Sequence, residues 1–123
     1  MDSIQLIQNK SEIGAGTRGA SLGIDALKIA SLNQKSDFFS RYETVSIKDQ
    51  NHLLFEQNRT PSAIRVEGIR KVYNSIAEAV KTSFASQKFP LVLAADHASA
   101  GGTIAGIKMA NPNKRLGVIW IDA

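Results

Sequence analysis

Cysteine is absent from this chain. That excludes disulfides, thiolate metal sites and a cysteine nucleophile, and it fits a cytoplasmic location. Long apolar runs are missing too: none approaches the ~20 residues needed to span a bilayer, so no membrane partner is expected. The amino terminus, Met1-Asp2-Ser3-Ile4-Gln5, has neither the basic region nor the apolar stretch of a secretory signal. There is no internal repeat and no low-complexity linker. The net charge is +4, but it is not gathered into a stripe or arm. Only Arg70-Lys71 and Lys114-Arg115 are adjacent basic pairs, so the charge reads as a solvated surface and no nucleic-acid partner is expected.

What is present is ordinary for a globular protein: 43% hydrophobic and 21% charged residues over 123 positions. This length supports one domain, 1–123, able to bury roughly two thirds of its unfolded surface. Ile4, Leu6 and Ile7 predict a first strand. A Gly-rich run follows, Gly14-Ala15-Gly16-Thr17-Arg18-Gly19, and then a helix over 21–31, with Ile24, Leu27 and Leu32 near one face. Thr44, Val45 and Ile47 favour a second strand over 42–47. Thr60 as N-cap and Pro61 at the first turn predict a helix over 61–84, its apolar positions Ile69, Val72, Tyr73, Ile76, Val80 and Phe84 recurring at three- and four-residue spacing. Pro90 opens a strand over 91–95, a short helix is predicted over 103–109, and a last strand over 116–122.

The strands over 91–95 and 116–122 are almost continuously apolar. Such strands belong to parallel sheets covered on both faces by helices. The predicted fold class is therefore α/β, a parallel sheet flanked by helices. In open parallel sheets, ligands gather beyond the carboxyl ends of the strands. One strand delivers Asp96-His97 to that edge and the other delivers Asp122. Neighbouring strands stand about 4.8 Å apart, so His97 and Asp122 would converge on one cation if these strands pair. An imidazole with carboxylates, and no thiolate, favours manganese, zinc or iron. The bland alternative is that both side chains cap helices or bond to backbone.

Leu93-Ala94-Ala95-Asp96-His97-Ala98-Ser99-Ala100-Gly101-Gly102-Thr103 resembles the first metal motif of the ureohydrolases, the arginase, agmatinase and formimidoylglutamase family. That motif runs Gly-Gly-Asp-His-Ser and then small residues. Val118-Ile119-Trp120-Ile121-Asp122-Ala123 is similar to the start of the family's second motif, Asp-Ala-His-x-Asp. Gly19, Gly23 and Ala26-Leu27-Lys28 resemble its amino-terminal loop and first helix. Residues 34–62 match poorly.

The resemblance implies a partial three-layer, arginase-like sandwich and an amino-terminal portion of a hydrolase. Its binuclear manganese centre would activate water for attack on a guanidinium or related amidine carbon of a small substrate. It implies a homo-oligomer, a trimer or hexamer. His97 matches the first ligand histidine and Asp122 a metal-bridging aspartate. Asp96 matches the aspartate before the histidine, with a supporting role behind the ligand. The sequence departs from the family at Ala94-Ala95 and at Ala98, which stand for the two glycines and the serine. Two of the six usual ligand positions are present, so the chain by itself is expected to be inactive. Which amidine the family member takes is open.

Two alternatives stand beside this reading. Gly14 to Gly19 fits the dinucleotide pattern G-x-G-x-x-G, with Asp37 near the offset of a ribose-binding acid, although polar residues 8–12 separate it from the strand. A non-enzymatic interaction module would use the unpaired sheet edge to meet another subunit. Of the remaining residues, His52 reads as surface, and Trp120 as core against the helix over 61–84. Phe38, Phe39 and Tyr42 would anchor a loop or line a pocket. No Ser-His-Asp set can be assembled.

Overall fold

The computed structural model describes residues 3–58 and 61–122. Three strands, β1 (Ile4–Asn9), β2 (Thr44–Ile47) and β3 (Phe89–Ala94), form a parallel sheet in the order β2-β1-β3. The register pairs Leu6 with Thr44 on one side and Ile4 with Phe89 on the other. Four helices join and flank them: α1 (Leu22–Asn33), α2 (Phe38–Arg41), α3 (Val66–Ala85) and α4 (Ser99–Ala110), with a 3-10 turn at Asn51–Leu54.

Alternation along β1 assigns the layers, because adjacent strand residues face opposite ways. Ile7 joins Ile13, Ile47, Val72, Ile76 and Val80 in the core, so α3 covers that face. Gln8 points the other way and accepts a hydrogen bond from Lys28 Nζ of α1 at 2.6 Å. The result is the expected layering of helix, sheet and helix. Val72, Ile76 and Val80 lie four residues apart on one stripe of α3, which explains why that helix forms against the sheet. Each contributes about 1.5–3 kcal/mol by its burial.

α4 packs on α3 through small residues. Its buried positions are Ser99, Gly102 and Gly106. A Cβ on Gly102 would stand 2.8 Å from the Tyr73 carbonyl, and one on Gly106 2.6 Å from that of Ala77. The glycines that read as loop therefore belong to a helix, which begins at Ser99 rather than at 103.

Other boundaries differ from expectation; β2 starts at Thr44 rather than at 42, and β3 spans Phe89–Ala94 rather than 91–95. α3 starts at Val66, after Arg65 in a left-handed conformation (φ 56°), rather than at Pro61; Thr60 lies outside the described residues. α1 and α3 each run one or two residues beyond the expected ends. Both close with the same left-handed turn. Lys35 and Gln87 take φ 55°, and the next amides, of Ser36 and Lys88, reach back to the Ser31 and Ser83 carbonyls at 2.9 Å. Glycine usually occupies that position, so its signal was missing from the sequence.

The last expected strand does not form. Residues 115–122 join no ladder, and the outer edge of β3 has no partner strand among the described residues. An extended segment becomes a strand only when a neighbour takes up its amides and carbonyls. β3 is accordingly half-buried rather than covered on both faces. Trp120 is not core; it is 53% exposed. Phe38 packs edge-on against Phe39 and Tyr42, both with ring centroids at 5.3 Å, and so anchors the turn before β2.

Candidate metal centre

The strand order reverses at β1: the chain leaves it for β2 on one side and returns to β3 on the other. Such a switch point opens a crevice between the two loops that follow the diverging strands. Here those loops are residues 10–21, after β1, and residues 95–98, after β3. They touch directly. Asp96 Oδ2 accepts the Gly14 amide at 3.0 Å and the Ala15 amide at 3.2 Å. A Cβ on Gly14 would come within 2.4 Å of the Ala98 Cβ, so the loop lies flush on the turn. Asp96 is thus engaged with backbone donors, and the next residue, His97, projects outward with its side chain 75% exposed.

The segment over 115–122 returns along β3 and α4. It is fastened at its start, where Lys108 Nζ donates to the Pro112 and Lys114 carbonyls, each at 2.8 Å. Between this segment, β3 and α4 runs a cleft of about 680 Å³, lined by Val92, Asp96, His97, Thr103, Ile107 and Trp120 among others. At its mouth His97 Nε2 stands 3.7 Å from Asp122 Oδ1. Trp120 meets the His97 ring edge-on with centroids 5.7 Å apart, and its indole N–H donates to Asp122 Oδ2 at 3.4 Å. The two residues singled out from sequence are therefore brought together, without the strand pairing that was expected to do it.

The donor set can be tested for fit. Bonds from a cation to imidazole nitrogen or carboxylate oxygen are about 2.0–2.2 Å. Two ligand atoms 3.7 Å apart can therefore touch one ion. Among the described residues, however, no group of three or more His, Cys, Asp or Glu side chains gathers around a common point. The pair fits part of a centre and does not enclose one.

Sequence reasoning missed a third carboxylate. Glu12 is fully buried. Its Oε1 accepts the amides of Gly19 at 2.8 Å and Ser21 at 2.7 Å. Its Oε2 takes no well-directed hydrogen bond but faces Arg18 Nε at 3.1 Å. The Ser21 amide above all, and then the Ser21 side chain, the Gly19 amide and Arg18, hold its carboxyl below the usual range against the opposing effect of burial. Behind it, Asn51 Oδ1 accepts the Glu12 amide at 2.8 Å, and Asn9 Nδ2 donates to Ser99 Oγ at 2.6 Å. Gln8, Asn9, Ser11 and Glu12 are thus the buried floor of the site, and only their partners, far off in sequence, reveal that.

Glu12 also bears on the dinucleotide alternative. In that fold a phosphate sits on the amides at the start of the helix after the glycine loop. Here the amides of Gly19 and Ser21, at the start of α1, already carry the chain's own carboxylate. That arrangement gives nucleotide binding no support.

The Arginase family model matches residues 4–123. The chain belongs to the arginase family. It is 31% identical over 128 residues to the arginase of Bacillus caldovelox, covering 100% of this chain and 41% of that protein. It is 27% identical over 124 residues to the arginase of Bacillus subtilis strain 168, covering 98% of this chain and 40% of that protein. The crystal structure of the Bacillus caldovelox arginase matches with a TM-score of 0.75 at 28% identity, over 100% of this chain and 41% of that one. A Bacillus subtilis arginase structure matches with a TM-score of 0.64 at 24% identity, over 88% and 34%, and speaks for the fold. This arginase-family chain spans about 40% of the length of the curated relatives it matches. No helix among its described residues is long and apolar enough to cross a membrane.

Proposed function

We propose that this chain is the amino-terminal part of an arginase-like, manganese-dependent hydrolase of guanidinium or amidine C–N bonds. In this reading residues 1–123 are one incomplete domain of a cytoplasmic homo-oligomer. His97 and Asp122 supply two metal ligands, and Asp96 holds the turn that presents His97. The observation that carries the reading is the 3.7 Å approach of His97 Nε2 to Asp122 Oδ1 at the mouth of a cleft, in a chain whose family is shown. A metal pair, when bound, supplies a nucleophile at neutral pH by acidifying water. Nothing in residues 3–58 and 61–122 completes such a pair, so the chain alone should release no urea.

Manganese binding followed by electron paramagnetic resonance tests this directly. The chain should bind weakly, and both His97→Ala and Asp122→Asn should abolish that binding. Binding that survives both substitutions removes the two residues from the centre. Metal-dependent urea release by the 123-residue chain would overturn its assignment as inactive.

One observation favours a second reading, an interaction module. Among the described residues no strand pairs with the outer edge of β3, and Ile119 and Ile121 in the segment that follows α4 are 90% and 91% exposed. Apolar surface next to a free strand edge is suited to pairing with another chain. Sedimentation that shows concentration-dependent association, abolished by Ile121→Lys, would support it.

A further inference from the structure

The loop over 12–21 is tied by two chords that both start at Glu12. Its carbonyl accepts the Gly16 amide at 3.0 Å, closing the first turn. Its side chain reaches across to the amides of Gly19 and Ser21. Glu12 is itself anchored from below. Its amide donates to Asn51 Oδ1, Asn51 Nδ2 donates to the Lys10 carbonyl at 2.9 Å, and the adjoining Ile13 sits in the core at 3% exposure. The loop is therefore wrapped around a buried carboxylate fixed to the floor of the sheet.

The outer side of the same loop offers the two amides that hold Asp96. Gly14 and Ala15 lie inside the first chord, between Glu12 and Gly16. Gly14 rests so closely on the 96–98 turn that an added methyl would clash with the Ala98 Cβ. One loop thus serves two carboxylates, with the inner amides on Glu12 and the outer amides on Asp96. The two sets lie close together on one backbone, with only Thr17 and Arg18 between Gly16 and Gly19.

We infer that Glu12 is a positioning residue for His97, acting through the glycine loop and Asp96. Its meaning for catalysis rests on the reading of His97 as a metal ligand, but the coupling itself is a property of the metal-free chain and is measured there. Glu12→Gln is nearly isosteric. It leaves Gly19 and Ser21 with a neutral acceptor and sets an NH2 group against Arg18, where the carboxylate now lies at 3.1 Å.

The experiment is residue-resolved amide exchange by NMR on the chain and on Glu12→Gln, with the His97 ring signals recorded in parallel. Gly19 and Ser21 should lose protection in any case. The inference requires that Gly14 and Ala15, which do not touch Glu12, also exchange roughly fivefold faster or more, and that the His97 ring resonances move. If only Gly19 and Ser21 respond, Glu12 is a local support and the inference falls. Val80→Ala serves as the control for general destabilisation, since it should not single out Gly14 and Ala15. Coupling is reciprocal, so Asp96→Asn should speed exchange at Gly19 and Ser21. Should Glu12→Gln fail to fold, that reciprocal result decides: unchanged Gly19 and Ser21 overturn the inference. Failure of manganese binding with intact coupling would sink the metal reading and leave this one standing.

Discussion

His97 and Trp120 meet edge to face, their ring centroids 5.7 Å apart, with Asp122 in reach of both. The chain has one tryptophan, so its emission reports on the surroundings of His97 and Asp122. Manganese added to the chain should quench the larger part of the Trp120 emission, since the ion is paramagnetic and would sit against the indole's neighbour. His97→Ala should abolish the quenching and alter the metal-free emission as well. Quenching that persists in His97→Ala would place the ion elsewhere.

The α3–α4 contact predicts opposite outcomes for two glycine replacements. Gly106→Ala drives a methyl to 2.6 Å from the Ala77 carbonyl and 2.7 Å from the Val80 Cβ. It should cost about 1–3 kcal/mol through overpacking. Gly23→Ala, in α1, meets nothing within 4 Å. It should be neutral or stabilise by up to about 1 kcal/mol, because alanine is the better helix former. Urea denaturation of both variants checks the pair.

Glu12 sets an acid limit. Its folded-state pKa is lowered from 4.5 by the Ser21 amide first of all. The unfolded state therefore binds the proton more tightly. The stabilisation is fully present above the unfolded pKa and is lost as pH falls through the folded one. Stability measured from pH 6 to pH 2 should fall through this window. The decline should be shallower in Glu12→Gln, which has no proton to take up at this position, whatever its starting stability. Equal slopes would mean that other carboxylates dominate. Asp25 beside Lys10 and Asp37 beside Arg41 are lowered as well, but both lie at the surface.

The left-handed ends of α1 and α3 invite a stabilising change. Gln87 is exposed at φ 55°, a conformation that costs an L-residue about 1–2 kcal/mol. Gln87→Gly should raise stability by about 1 kcal/mol after the extra freedom of glycine in the unfolded chain is counted. Thermal unfolding that shows a drop would mean that the Gln87 side chain makes a contact of value.

What the sequence showed, and what it hid, divides by the range of the interactions. The core stripe Val72, Ile76, Val80 was legible because helical periodicity is local. The strand that leads to His97 was legible because an apolar run and Pro90 mark it. α4 was cut short because Gly101 and Gly102 look like a loop until Tyr73 and Ile76 are seen pressed against them. The start of α3 was misplaced because Pro61 is a strong local signal, while Arg65 adopts a conformation that its identity does not advertise. Glu12, Asn9 and Asn51 were passed over because their partners lie across the chain: Asn9 meets Ser99, and Glu12 meets Asn51. The strand over 116–122 was read from its own composition, whereas a strand also needs a neighbour.

β1 lies in the middle of the three described strands, and its two neighbours come later in the chain. On the ribosome, Ile4–Asn9 emerges with both edges bare. One edge waits for Thr44–Ile47 and the other for Phe89–Ala94. Gln5, Gln8 and Asn9, buried and hydrogen-bonded in the finished sheet, keep that waiting segment polar on the nascent chain. The residues that furnish the floor of the site would then also delay sticking while the strand has no partners.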